Sequence, residues 1–143
     1  MTEDERRAIE ADCTRLINHY ANLNDTQDWD AVAELYTEDA RFGRPSRPGD
    51  LVIGRKAILA GFRERPPRAQ RHVIANMVVE AEAADKARAF SVILLFQGEA
   101  APEGELPAMS ANSPLVGFYR DRMVKTAEGW KFAERIGGLD FQP

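Results

Sequence analysis

The sequence predicts an α+β domain in which three N-terminal helices pack on a curved antiparallel sheet. Two observations support this. Apolar residues recur at spacings of three and four in three segments before residue 65, and from residue 71 onward they recur at a spacing of two. The 143 residues are the size of one domain, so residues 1–143 are treated as a single unit. Helices laid across a curved sheet form a cone, and its open end is a natural ligand pocket.

The first helix is predicted over residues 3–24. Thr2 and Glu5 have the spacing of a capping box at its start. Its core-facing stripe consists of Ile9, Cys13, Leu16, Ile17, Tyr20 and Asn24. Because Cys13 lies on this stripe, we expect its thiol to be buried and inert.

A polar break, N-D-T-Q-D, separates this helix from a second one, which Asp28 can cap. Trp29, Val32, Leu35 and Tyr36 are expected on the inner side of the second helix. Asp25 lies in the break, where a carboxylate is free of helix hydrogen bonding and can point into the enclosed space. The alternative interpretation is that the break is simply a turn between two helices.

A strand over residues 39–42, a loop rich in proline and glycine, and a return strand over residues 51–53 come next. The third helix is predicted over residues 55–64. Residues 63–71 hold four arginines, and Pro66-Pro67 prevents the helix from continuing. This basic loop could steer an anionic ligand, but its charges follow no repeating geometry, which favours a solvated connection.

Four strands are predicted over residues 71–84, 86–98, 115–126 and 130–141. Turns at residues 84–86 and 127–129 are of hairpin length, so their flanking strands should be antiparallel. Residues 99–114 form a surface loop or a lid. Strict alternation in the last strand puts Arg135 on the face opposite Phe132. Arg135 then either reaches a ligand or forms a structural salt bridge with a carboxylate.

The strand over residues 86–98 has apolar residues at both its even and its odd positions, which point to opposite faces of the sheet. Its residues 90–96 read F-S-V-I-L-L-F. The helices can cover only one face of the sheet. The other face would expose a large apolar patch, which predicts a homodimer that buries it about a two-fold axis. A loop 99–114 that folds back over this face is the alternative.

Composition excludes several functional classes. The net charge of −4 offers no general attraction to nucleic acid or to an anionic membrane. No apolar run approaches the ~20 residues of a membrane helix, and the charged N-terminus is no signal peptide, so we expect a cytoplasmic protein. One cysteine and two histidines allow neither an internal disulfide nor a Cys/His zinc site. No glycine-rich phosphate loop occurs.

Several segments, in order, resemble SnoaL-like members of the nuclear transport factor 2-like superfamily. They are Y-A-N-L-N-D-T-Q-D-W-D-A-V-A-E-L-Y-T-E-D-A-R-F, G-R-K-A-I-L-A-G-F, R-H-V-I-A-N and G-F-Y-R-D-R-M-V-K-T-A-E-G-W-K-F. The resemblance covers nearly the whole chain and implies the cystatin-like cone, often paired through its sheets. That cone hosts dehydratases, dehalogenating lyases, isomerases and non-enzymatic binders.

The chemistry most similar to this pattern is that of the scytalone dehydratase and hexachlorocyclohexane dehydrochlorinase subgroup. The resemblance implies that Asp25 and His72 are catalytic and that Arg135 lines the pocket. We expect Tyr20 and Phe42 to line it as well. Asn24 stands where scytalone dehydratase carries a tyrosine, which argues against that particular activity.

A histidine can remove a proton from carbon beside an electron-withdrawing group, provided that it is held in one tautomer. A carboxylate that accepts from Nδ1–H holds that tautomer, and a nearby tyrosine or arginine can stabilise the developing anion. His72 and Asp25 therefore predict a cofactor-free, metal-free lyase or proton-shift isomerase acting on a small apolar or aromatic molecule. The alternative is a non-catalytic cone that binds a hydrophobic ligand or serves as a partner subunit, with His72 purely structural.

Overall fold

The helices come first along the chain and the sheet follows. The computed structural model describes residues 1–143. The helices are α1 (Glu3–Asp25), α2 (Trp29–Glu34) and α3 (Arg55–Arg63). The strands are β1 (Tyr36–Gly43), β2 (Val52–Ile53), β3 (Arg68–Ala83), β4 (Lys86–Glu99), β5 (Leu115–Thr126) and β6 (Gly129–Leu139).

The α+β architecture is confirmed, with one correction to the sheet. The six strands form a single curved, unclosed sheet in the order β2-β1-β6-β5-β4-β3. Every neighbouring pair is antiparallel except β1 and β6, which are parallel, so the sheet is mixed. Hairpin turns impose antiparallel pairing only on strands that they join directly, and β1 and β6 are separated by most of the chain.

Local signals place the helices correctly. Thr2 and Glu5 form the predicted capping box, with each side chain accepting from the other's backbone N–H. Asp28 caps α2 by accepting from the backbone N–H of Ala31. Tyr36 is the exception, because it begins β1 instead of extending α2. None of the three helices combines the length and apolar character needed to span a bilayer.

The core lies between the helices and the concave face of the sheet. Its central aromatic rings are those of Tyr20, Tyr36, Phe42, Phe62 and Phe132. A cluster of rings in edge-to-face and tilted contact fixes how the helical layer sits on the sheet. Cys13 is fully buried on α1, as its position on the apolar stripe predicts.

Alternate side chains of β4 point outward, onto the convex face of the sheet. On this strand Ala87, Ala89, Ser91 and Ile93 are buried inside, whereas the outward set is only partly buried: Phe90, Val92, Leu94 and Phe96. The loop over residues 100–114 folds against the Phe96 end of β4 through a bridge between Gly98 and Met109. The outward side chains at the centre of β4 are thus apolar, and the surface depression beside Phe90 contains no residue of this loop.

Candidate active site

Asp25 and His72 meet where the C-terminal end of α1 crosses the beginning of β3. Asp25 Oδ1 lies 2.5 Å from His72 Nδ1, and Asp25 Oδ2 accepts from the backbone N–H of His72 at 2.9 Å. Both side chains are largely buried, at 4% and 11% exposure respectively. A carboxylate only accepts, so Nδ1 carries the hydrogen and the lone pair lies on Nε2.

The end of α1 is shaped to present Asp25. Gln27 has a φ of 58°, in the left-handed region, and the backbone N–H of Asp28 donates to the carbonyl of Leu23 at 3.1 Å. This is the hydrogen-bond pattern of a Schellman end, which turns the chain sharply into α2. Asp25 is therefore the last helical residue, and its side chain lies beside β3.

Two further hydrogen bonds tie this helix end to alternate residues of β3. Gln27 Nε2 donates to the carbonyl of Arg68 at 2.8 Å, and Gln70 Nε2 donates to the carbonyl of Asn24 at 2.7 Å. With the bond from the His72 backbone, positions 68, 70 and 72 all contact the end of α1. A pair held on a helix and a strand by such bonds is preorganised for chemistry.

A cavity of about 250 Å³ opens beside this pair, and His72 is part of its wall. Tyr20 and Phe42, both expected at the pocket, also line it. Its apolar wall comes mainly from Phe42, Phe62, Ile93, Leu95, Leu115 and Leu139, and its uncharged polar wall from Tyr20, Asn24, Ser46, Gln97 and Tyr119. The space suits a small, largely apolar molecule with a few polar groups.

Tyr20 and Tyr119 line the cavity, Tyr36 lies behind Tyr20, and all three are protonated hydroxyls at neutral pH. Tyr20 and Tyr36 share a hydrogen bond of 2.7 Å between their hydroxyl oxygens. Burial raises the pKa of Tyr20, Tyr36 and Tyr119 above the usual tyrosine value. Tyr20 and Tyr119 can donate hydrogen bonds to a developing anion in the cavity, but the tyrosines are not bases at neutral pH.

Arg135 lies behind the cavity wall and is not among the residues that line the cavity. It is fully buried, with Nε 3.1 Å from Asp121 Oδ1 on the neighbouring strand. Its guanidinium carbon sits 3.8 Å from the ring centre of Tyr119 and 4.4 Å from that of Tyr20. The structure thus places Arg135 in a buried ion pair that supports two tyrosines of the wall.

The position of Arg135 also shows that the predicted alternation of the last strand, which put Arg135 on the face opposite Phe132, is wrong. The β5–β6 pairing shifts register between Arg122 and Met123, whose partners are Glu134 and Phe132, so Ala133 is bulged out. A bulge adds one residue and reverses the alternation beyond it. Arg135 and Phe132 therefore lie on the same side, with the guanidinium carbon 4.6 Å from the ring centre.

The position of the basic loop differs from the interpretation that the sequence favoured. Arg65 and Arg68 line the cavity together with Arg44, whereas the loop was expected to be a solvated connection. β3 begins at Arg68, three residues earlier than predicted. The spacing of Arg68 and His72 indicates their common location, because residues four apart in one strand face the same side of the sheet.

A helical layer on a curved, unclosed mixed sheet defines the nuclear transport factor 2-like, cystatin-like fold. Residues 5–136 match the SnoaL-like domain family, and the chain belongs to that family. A comparison with curated protein sequences finds no match.

Solved structures share this fold at low sequence identity. A proposed scytalone dehydratase from Novosphingobium aromaticivorans DSM 12444 is 22% identical with a TM-score of 0.74, over 92% of this chain and 83% of its own. A second protein from N. aromaticivorans, an NTF2-like protein with a cystatin-like fold, is 23% identical with a TM-score of 0.74, over 93% and 82%. A Catenulispora acidiphila protein in complex with S-DNPA is 22% identical with a TM-score of 0.73, over 94% and 96%.

Proposed function

We propose that this protein is a cofactor-free lyase or proton-shift isomerase in which His72 is the general base and Asp25 orients it. The observation that carries the proposal is the Asp25–His72 hydrogen bond at the wall of the cavity. The family includes scytalone dehydratase-like enzymes, and the Catenulispora acidiphila neighbour is in complex with S-DNPA, which supports binding of a small molecule.

The proton transfer follows from the geometry. His72 Nε2 takes a proton from a carbon beside a carbonyl, and Asp25 accepts from Nδ1–H and stabilises the imidazolium that forms. In an elimination, the electrons of the broken C–H bond form a carbon–carbon double bond, and the β-substituent departs with its bonding pair. The imidazolium proton leaves with a hydroxide as water. In an isomerisation, the same proton returns to a different carbon.

The test uses 3-hydroxy-1-tetralone, a β-hydroxy ketone fused to one aromatic ring. Loss of water gives an enone that tautomerises to 1-naphthol, which is followed by fluorescence. The same reaction in D₂O, followed by NMR, reports exchange of the protons beside the carbonyl even where elimination is slow. We expect both signals from the wild type, and both to form ~10²–10⁴ more slowly with His72→Gln. Tight binding of 1-naphthol without exchange or elimination would instead favour a non-catalytic binder.

We also propose that two copies pair through the convex face of the sheet. Phe90 on β4 stacks on Phe118 of β5 with ring centres 5.9 Å apart, and Arg120 lies over both rings. On β3, Val73 and Val78 are 42% and 59% exposed. Apolar side chains on three adjacent strands make a patch that a two-fold partner would bury.

A further inference from the structure

Three arginines converge on the cavity from different parts of the fold. Arg44 follows β1, Arg65 follows α3, and Arg68 begins β3. His72 lies in the same wall, whereas no aspartate or glutamate is among the lining residues. The only carboxylate near the base, Asp25, is 4% exposed and already bonded to His72. The interior of the cavity is therefore cationic although the protein as a whole carries a net charge of −4.

These arginines lack counter-ions. None of the three has a carboxylate within salt-bridge distance, although the chain has 23 acidic residues. Burial lowers the pKa of Arg65 and of Arg68, and repulsion from Arg44 lowers both further. The Nε of Arg65 is buried and has no hydrogen-bond partner. Clustering unpaired cations in a partly dry cavity costs free energy, which a bound anion recovers.

The guanidinium groups of Arg65 and Arg68 are nevertheless held in place. Arg65 lies over the ring of Phe62, with 4.3 Å between guanidinium carbon and ring centre, and 5.8 Å from that of Trp29. Arg68 Nε donates to Gln70 Oε1 at 3.0 Å, and Gln70 is itself anchored to Asn24. Such supports reduce the ordering cost of ligand binding and indicate a built site, not a flexible basic surface.

We propose that the cavity binds an aromatic carboxylate, with the carboxylate among Arg44, Arg65 and Arg68 and the ring against the apolar wall. This inference deepens the proposed function, on which it rests, by naming the substrate class. A planar guanidinium matches a carboxylate through paired hydrogen bonds. The apolar wall, with Phe42 and Phe62, excludes a small inorganic anion as the preferred ligand because it would leave that wall unfilled.

The arrangement also suits the chemistry. An enolate that forms when His72 removes a proton carries negative charge in the same cationic space. Fixed positive groups stabilise such charge strongly where water is excluded. The arginines would therefore bind the carboxylate and favour the developing anion.

The test compares 1-naphthoate with 1-naphthamide, a neutral molecule of nearly the same shape, by isothermal titration calorimetry. We expect the wild type to bind the carboxylate at least about tenfold more tightly, in line with hydrogen bonds between charged groups. Arg65→Gln and Arg44→Gln should each remove most of this preference. The matched control is Arg47→Gln. Arg47 is exposed in the loop after β1 and does not line the cavity, so this variant should keep the preference for the carboxylate.

Failure of this inference can be separated from failure of the proposed function. The same titrations with His72→Gln should retain the preference, because that variant loses the base and keeps the arginines. Elimination activity combined with equal binding of both probes overturns the anion site and leaves the proposed function standing. Absence of naphthoate binding up to about 10 mM, a very weak affinity, also overturns it. A preference for naphthoate without any turnover supports the anion site alone.

Discussion

Asp25 holds His72 at two points, with one carboxylate oxygen 2.5 Å from Nδ1 and the other 2.9 Å from the backbone nitrogen. The ring and its own backbone are thus oriented by the same side chain. This leaves Nε2 as the unbonded nitrogen of a residue that lines the cavity. The relationship explains how a rigid helix end can position a base on the neighbouring strand.

His72→Gln should reduce the elimination rate by ~10²–10⁴, the usual range for loss of a general base. Glutamine can preserve some hydrogen bonding with Asp25 but does not accept a proton. Steady-state kinetics with 3-hydroxy-1-tetralone measures the effect. His19→Gln, on the exposed face of α1, is the matched control and should behave as the wild type does. Turnover of His72→Gln near the wild-type level would contradict the assignment.

Asp25→Asn should lower kcat by ~10²–10⁴ because an amide can stabilise the wrong histidine tautomer. KM should change little, since Asp25 does not line the cavity. Loss of the charged acceptor should also reduce the free energy of unfolding by about 1–3 kcal/mol, measured with urea. Asp12→Asn, exposed on α1, is the control. A change confined to stability, with kcat unaffected, would show that Asp25 is structural only.

Asp121 should make stability depend on pH between about 4 and 6. Burial raises the pKa of Asp121 to about 6 from a usual value of 3.8, although Arg135 opposes the shift. Within this window the folded protein keeps a proton that the unfolded chain has lost. The contribution of Asp121 to the free energy of unfolding therefore falls as pH rises, by on the order of 2–3 kcal/mol.

Urea unfolding of the wild type and of Asp121→Asn across this range isolates the effect. The free energy of unfolding of the wild type, relative to that of the variant, should decrease as pH increases. The opposite slope would mean that attraction between Asp121 and Arg135 exceeds the cost of burying the carboxylate. Glu82→Gln, at an exposed position of β3 without a salt-bridge partner, provides the control.

The convex-face dimer should be visible by light scattering at micromolar concentration as twice the chain mass of 16.0 kDa. Val92→Glu places a charge in the centre of the apolar patch and should give monomers. Leu106→Glu alters the most exposed large apolar side chain, which lies in the loop between β4 and β5, and should leave the dimer intact. A wild type that scatters as a monomer would argue against pairing through this face.

Local patterns predicted much of the secondary structure. The capping box at Thr2, the cap at Asp28 and the strand alternation after Arg71 depend on residues within a few positions of one another. They are therefore readable from the chain alone. The expectation that Asp25 and His72 share a site came from motifs that resemble the SnoaL-like family, since no local rule relates residues so far apart.

What the sequence by itself determined was the order of elements, most of their boundaries and the candidate base with its carboxylate. Only the tertiary structure decided that β1 runs parallel to β6, that a bulge at Ala133 turns Arg135 inward to Asp121, and that Arg44, Arg65 and Arg68 face one cavity. These features depend on which distant strands pair and in what register. Pairing and register are set by how the whole sheet packs around its core and not by any short stretch of chain.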